Sequence, residues 1–346
     1  MTDKIRKIKG ILVIPLIISL IIAVPLRITA DCDLTALTEA KEVYVGGFPF
    51  GIKLLTEGLL VVGVADVEGE NGKTKPAYSA GIKSGDIIIS VNGNEVTTSE
   101  DFIALYESNG MTLNIEFLRG DKKSSTVIKP EKSVVDGKYK TGMWLRDSAA
   151  GIGTVTFIEC ETGSFAGLGH GVCDSVSGEV IPILRGIVTE VKLSGVKEGV
   201  AGTPGELKGY FTKKEIGVIL KNTDRGVFGL YSEIPSCAVT TEKVKLASKS
   251  EVHEGEAKII STISDGVTEE YEIKIEKIPL AKGNVNFEIR VTDEKLIEKT
   301  GGIVQGMSGS PIIQDGKLVG AVTHVLISDP TRGYGIYIED MIKSSE

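Results

Sequence analysis

GMSGSPIIQDGKLVGAVTHV, residues 306–325, sets the reading of the whole chain. Gly306 and Gly309 frame Ser308, Pro311 follows, and beyond the Asp315–Gly316 turn the apolar run Leu318–Val322 has the length and composition of a strand. A serine hydroxyl is a poor nucleophile at neutral pH. It needs an imidazole to take its proton and backbone amides to hold the oxyanion that forms, and glycines let the chain turn tightly enough to aim those amides. A second glycine-framed motif, GLGHG at residues 167–171, offers an imidazole, His170, in a matching tight turn. The two motifs have the layout of a base and a nucleophile, and the strand after Ser308 is expected to form a wall beside it.

Around these motifs the chain reads as mainly β. Its 346 residues suffice for two cores, and 41% hydrophobic with 25% charged residues is an ordinary globular balance. Forty-two glycines against 5% aromatics, with many Val, Ile and Thr runs, favour short strands joined by tight turns. A first module is expected over residues 44–132, with strands at Leu59–Val64, Ile87–Val91 and Leu113–Leu118. Asn92–Gly93 is its hairpin signal, and Thr98 caps a helix that carries Phe102, Leu105 and Tyr106 on one face. A Lys-, Ser-, Asp- and Gly-rich linker follows, and residues 141–346 are expected to form a β-barrel or sandwich with strands at Gly151–Phe157, Val180–Ile183, Gly186–Leu193 and Glu270–Ile275.

Residues 1–30 are a separate segment. Lys4, Arg6, Lys7 and Lys9 precede an uncharged apolar run from Gly10 to Leu26, the layout of a secretory signal or a short membrane anchor, so the chain is expected to be exported. Loss of this segment, with its net +4, takes the formal charge from −8 to −12. An acidic chain without a basic cluster argues against nucleic-acid partners. Four cysteines (32, 160, 173, 237) allow a disulfide in an oxidising compartment, but there is no CxxC pair.

Only three histidines compete for the role of base. His253 lies in a charged stretch that reads as solvated, and His324 follows GAVT in an apolar strand and reads as a core or pocket residue. His170, at the end of a strand in a glycine turn, is the expected base. A cysteine nucleophile at Cys173 lies too near His170 in a turn to be arranged reliably with it, and a Cys160–His170–Cys173 metal site lacks a fourth ligand. No metal and no cofactor are expected.

Resemblances sharpen this reading. AYSAGIKSGDIIISVNGNEV, residues 77–96, is similar to the core of PDZ domains, and that resemblance places the carboxylate-binding loop at Pro49, Phe50, Gly51 and Ile52, for a chain terminus or an internal segment of a partner or of this chain. GMSGSP is similar to the nucleophile motif of trypsin-like proteases in the register that makes Ser308 the attacking residue, Ser310 the small residue after it, and the Gly306 and Ser308 amides the oxyanion hole. Met307 stands where those enzymes commonly have the aspartate used in zymogen activation, so control is expected to come from elsewhere. From GIGTVTF through FAGLGHGVCD to RVTDEKLIEKTGGIVQGMSGSP and beyond, the chain resembles the stage IV sporulation protein B peptidases of endospore-forming bacteria. That resemblance implies an exported serine endopeptidase, active between the two membranes around the forespore, that cuts itself and a membrane-bound regulator of an intramembrane protease so that a late sigma factor is processed. It also points to Asp293 as the acid of the triad. The residues themselves leave Asp174 and Asp329 as rivals, and a helix cap as the other job for Asp293. The competing function is a non-catalytic PDZ-bearing envelope signalling protein with a degenerate protease domain.

Overall fold

A computed structural model describes residues 34, 37–38, 41–107, 109–120, 122–174, 178–183, 185–239, 242–264, 266–279 and 286–346. The signal or anchor segment expected over residues 1–30 lies outside the described residues.

The first two strands, β1 (Glu42–Val45) and β2 (Pro49–Val64), overturn the expected linear order of the domains. β2 runs on for 16 residues because its two halves serve two different sheets. At the junction Gly58 takes φ +80°, and a Cβ there would lie 2.2 Å from the carbonyl oxygen of Ile88, so only glycine lets the strand pass. The second half of β2 enters a small module made of helix α1 (Pro76–Ser79), β3 (Ile87–Val91), helix α2 (Ser99–Ala104), β4 (Leu113–Arg119) and β5 (Lys122–Ile128). Leu59, Val61, Ile88, Phe102, Ile115 and Ile128 fill its core. Asn92 and Gly93 both take positive φ, as the expected hairpin turn requires, and the Thr98 hydroxyl accepts from the Asp101 amide to start α2. The expected linker is partly ordered too, since Tyr139 and Lys140 pair with Lys132 and Glu131.

From this module the chain returns along β6 (Met143–Glu159), which is antiparallel to β2 over both halves. Thr154 opposes Pro49 and Gly151 opposes Ile52 in one sheet, while Met143 opposes Val64 in the other. The module is therefore inserted into a hairpin of the larger domain, and residues 44–55, expected to open the module, belong to the larger domain.

Six strands close the first barrel: β2, β6, β7 (Ser164–Gly167), β8 (Arg185–Lys197), β9 (Glu206–Thr223) and β10 (Gly226–Tyr231). They pair in the order β2–β6–β7–β10–β9–β8 and back to β2. Phe50, Leu54, Val155, Phe165, Val188 and Val227 pack inside. The expected strand at Val180–Ile183 is absent; Val180 makes an isolated bridge to Cys173. After β11 (Lys243–Leu246) a second barrel repeats the same order with β12 (Gly255–Ser264), β13 (Val267–Lys277), β14 (Asn286–Val291), β15 (Pro311–Gln314), β16 (Lys317–Leu326) and β17 (Asp329–Tyr337). Pairing runs β12–β13–β14–β17–β16–β15 and back to β12, which removes every open sheet edge from the ring. Alternation sets the faces: in β13 Tyr271, Ile273 and Ile275 point inward between Glu272 and Lys274. A further apolar cluster, with Val43, Phe157, Phe228, Leu318, Ile336 and Met341, joins strands of the two barrels.

Candidate active site

Ser308 lies in the loop that leads into β15, and the hydrogen bonds of that loop alternate along the chain. The Met307, Gly309 and Ser310 amides donate to the carbonyls of Val304, Val322 and Met307. The Gly306 and Ser308 amides donate to no partner among the described residues. Their directions are nonetheless fixed, because in a trans peptide the N–H points opposite to the C=O of the same unit. The Gln305 carbonyl accepts from the Leu207 amide at 2.8 Å and the Met307 carbonyl from the Ser310 amide at 2.9 Å, so both intervening N–H groups face away from those partners. Burial follows the same alternation: Met307, Gly309 and Ser310 are buried, while Gly306 and Ser308 are half-buried. Gly309, at φ +96°, admits no side chain, since a Cβ would stand 2.0 Å from the Thr154 carbonyl oxygen.

Two threonines of β6 hold this loop from the other barrel. The Thr154 hydroxyl donates to the Gly306 carbonyl at 2.7 Å and the Thr154 amide to the Ser308 carbonyl at 3.0 Å, while the Thr156 hydroxyl donates to the Gly309 carbonyl at 2.8 Å. Sequence reasoning missed both. A threonine in a Val- and Thr-rich strand carries no local signal of this job.

His170 comes from the loop directly after β7. Its Nδ1 lies 2.8 Å from the Gly171 carbonyl oxygen, which can only accept, so Nδ1 carries the proton and Nε2 presents its lone pair. Burial pushes its pKa below the usual 6.5, the nearby His324 pushes in the same direction, and the bond to Gly171 opposes them. His324 projects from β16 with its ring centroid 4.7 Å from that of His170; the residue is exposed to solvent, and partial desolvation at the cleft lowers its pKa as well. His170, Ser308, Gly306 and His324 line one cleft of about 570 Å³. In this structure the Ser308 hydroxyl donates to the Thr323 carbonyl at 2.6 Å.

The other candidates fall elsewhere. Ser310 is fully buried and its hydroxyl donates to Ser261, which removes it as a nucleophile. His253 is exposed and pairs with Asp315 at 2.8 Å. Asp293 sits at the N-terminus of helix α3 (Glu294–Thr300), where Oδ1 accepts from the Leu296 amide at 2.9 Å and Oδ2 from the Glu272 amide at 3.3 Å. It does not line the cleft, so the structure gives it the cap's place and not a position on the imidazole. Asp174 is buried against Arg146 at 2.8 Å, and Asp329 accepts from the Thr331 amide and hydroxyl. Among the described residues no carboxylate accepts from His170 Nδ1.

The expected carboxylate-binding loop also changes role. Pro49, Phe50, Gly51 and Ile52 lie inside β2, where Gly51 and Ile52 pair with β6 on one side and β8 on the other. Phe50 is fully buried in the barrel core. A strand paired on both edges has no amides left to grip a peptide terminus, so these residues are barrel wall, and Ile52 reaches the cleft.

The comparisons with known proteins divide along the same lines. The family model described as SpoIVB peptidase S55 matches residues 137–342, and a PDZ domain model matches residues 51–129. A putative zinc metalloprotease of Lactococcus lactis is 34% identical over 76 residues, 22% of this chain and 17% of that protein. Mitochondrial serine protease HTRA2 of Drosophila sechellia is 39% identical over 56 residues, 16% of this chain and 13% of that protein. The chain thus spans less than a fifth of either relative. Among solved structures, the PDZ domain of the SdrC-like protein of Listeria monocytogenes is 30% identical, covering 26% of this chain and 90% of that one at a TM-score of 0.22. The Rv3671c protease of M. tuberculosis is 15% identical, covering 55% of this chain and 70% of that one at a TM-score of 0.33.

Proposed function

This chain belongs to the SpoIVB peptidase S55 family, a family of serine peptidases, and from that premise we propose that it is an exported endopeptidase that cuts itself and a membrane-associated regulatory protein during sporulation. The observation that carries the chemistry is the pair of undonated, oriented amides at Gly306 and Ser308 beside a hydroxyl and an imidazole in one cleft. Rotation about its Cα–Cβ bond takes the Ser308 hydroxyl off the Thr323 carbonyl, and His170 Nε2 receives its proton as Oγ attacks a substrate carbonyl. The two amides hold the oxyanion, and an interaction of this kind is worth about 10²–10³ in rate per donor. The imidazolium then gives its proton to the leaving amine, and a water repeats the sequence on the acyl-enzyme with His170 again as base. The bond from Nδ1 to the Gly171 carbonyl keeps the imidazole in the required tautomer.

Export rests on the basic and apolar residues 1–30, and action on a membrane-bound regulator and on the chain itself rests on the family resemblance. The test is expression of the chain after residue 30 beside its Ser308→Ala variant. The parent accumulates shorter fragments with time and the variant stays whole; equal fragmentation of both would remove Ser308 from the mechanism.

A further inference from the structure

We infer that the cleft beside Ser308 takes an uncharged, apolar side chain on the acyl side of the scissile bond, so that cleavage falls after residues such as Val, Ile, Leu or Met. The inference rests on the serine peptidase reading above and names the substrate class of that same site. The carbonyl under attack has its oxygen on the Gly306 and Ser308 amides, and the Cα of the residue that owns it is only about 1.5 Å from the carbonyl carbon. Its side chain must therefore enter the hollow that adjoins those amides. One wall of that hollow is Ile303 and Val304, three and two residues before Gly306 along the same chain. Val325 and Ile327, just beyond Thr323, whose carbonyl holds the Ser308 hydroxyl, line it as well. Ile52, Ile152, Leu168, Val172 and Pro204 add to the apolar lining, and its polar members, Gln305, Thr323, Cys173 and the two imidazoles, share the cleft with Ser308.

Among the described residues no Asp, Glu, Lys or Arg side chain lines this cleft. A lysine, arginine or carboxylate side chain entering it would lose its water with no countercharge in the lining, whereas an aliphatic side chain gains by leaving water. The rim repeats the chemistry. Ile327 is 57% exposed and Val200 is 53% exposed, and the loop that carries Val200 is tied to the Ile327 strand end by the bond from the Gly202 amide to the Ile327 carbonyl at 2.8 Å. Apolar side chains held in solvent at the mouth of an apolar cleft extend the surface a hydrophobic substrate segment would cover.

The experiment is cleavage of a mixed peptide library by the chain after residue 30, read by mass spectrometry, with Ser308→Ala as the blank. Ser308-dependent cuts fall after Val, Ile, Leu or Met, about tenfold or more above Ala, as the loss of buried methylenes dictates. Cuts after Lys, Arg, Asp or Glu are at the level of the blank. Ser308-dependent cuts mainly after charged residues would overturn the inference while leaving the peptidase reading intact, and no Ser308-dependent cut at all would overturn both. A second variant, Val325→Asp, places a carboxylate in the wall. Cuts after Lys and Arg then appear above the blank, and a folded Val325→Asp chain with the parent's preferences would show that this hollow is not where the side chain goes.

Discussion

At the scale of single residues, the site depends on groups that only orient others. Thr154 ties the Gly306 and Ser308 carbonyls, one on each side of Met307, and it does so from the opposite barrel. Thr154→Val keeps the shape but leaves the Gly306 carbonyl without its side-chain donor. We expect kcat to fall about tenfold or more through the loosened oxyanion hole, with KM much less affected and Thr154→Ser restoring most of the rate. An equal loss in Thr154→Ser would assign the effect to packing. The imidazoles give a pH signature. In its proposed role as base His170 must be neutral, and burial together with His324 holds its pKa below 6.5, so the acid limb of kcat/KM is expected below that value, with activity lost only as pH falls through the lowered pKa. Replacing His324 with glutamine removes a neighbour whose charge opposes protonation, and the limb moves up towards 6.5. A limb at or above 6.5 in the parent would contradict the half-buried position of His170 beside His324.

The elements show what a local reading of sequence can and cannot reach. The Asn92–Gly93 turn and the Thr98 cap are legible, and Ser308 and His170 stand out as candidates, because each is decided by residues within a few positions of one another. The pairing of residues 49–55 with 148–154 is not, because the module lies between them and nothing in either segment names its partner. The same apolar, glycine-bearing segment at Pro49–Ile52 fits a peptide-binding loop and a barrel strand equally well until β8 is seen along its second edge. Helix α3 is a similar case. Asp293 caps it, Leu296 and Thr300 are buried beneath it, and Gly301 ends it with φ +74° and an amide donating to the Ile297 carbonyl. The helix delivers the chain to Ile303 and Val304, the cleft wall. Asp293→Ala is expected to lower stability by about 1 kcal/mol, and Asp293→Asn, which caps nearly as well, by a few tenths, both measured by urea unfolding. Equal losses in the two variants would mean that the carboxylate charge, and not the cap, is what the fold uses.

At the scale of the molecule, the described residues form two like barrels with a module set into the first hairpin of the first one, an order that bears on which parts fold independently. The barrels close through residues 42–55 and 148–337, so the module contributes no strand to either ring. Leu55 and Ser148 oppose each other across the β2–β6 pair at the point where the module begins. Directly opposed residues of antiparallel strands lie about 4.5–5.5 Å apart, close enough for a two-residue turn. Residues 56–147 can therefore be replaced by Asn-Gly, at the cost of Leu60 and Val62, which pack in the same apolar cluster as Phe50 and Leu54, and with a correction for one ion pair. The excision removes Arg146, whose guanidinium is 2.8 Å from the buried Asp174 carboxylate, and breaking a buried ion pair of this kind costs up to about 3–5 kcal/mol. The variant accordingly carries Asp174→Asn. We expect it to unfold in one cooperative transition and its Ser308 to be labelled by a fluorophosphonate at a rate near that of the parent, because Thr154, Gly306 and His170 are all retained. Deleting residues 42–55 while leaving the module whole should abolish both the transition and the labelling. If instead the excised chain fails to fold and the second variant folds, the module and not the hairpin completes the barrel.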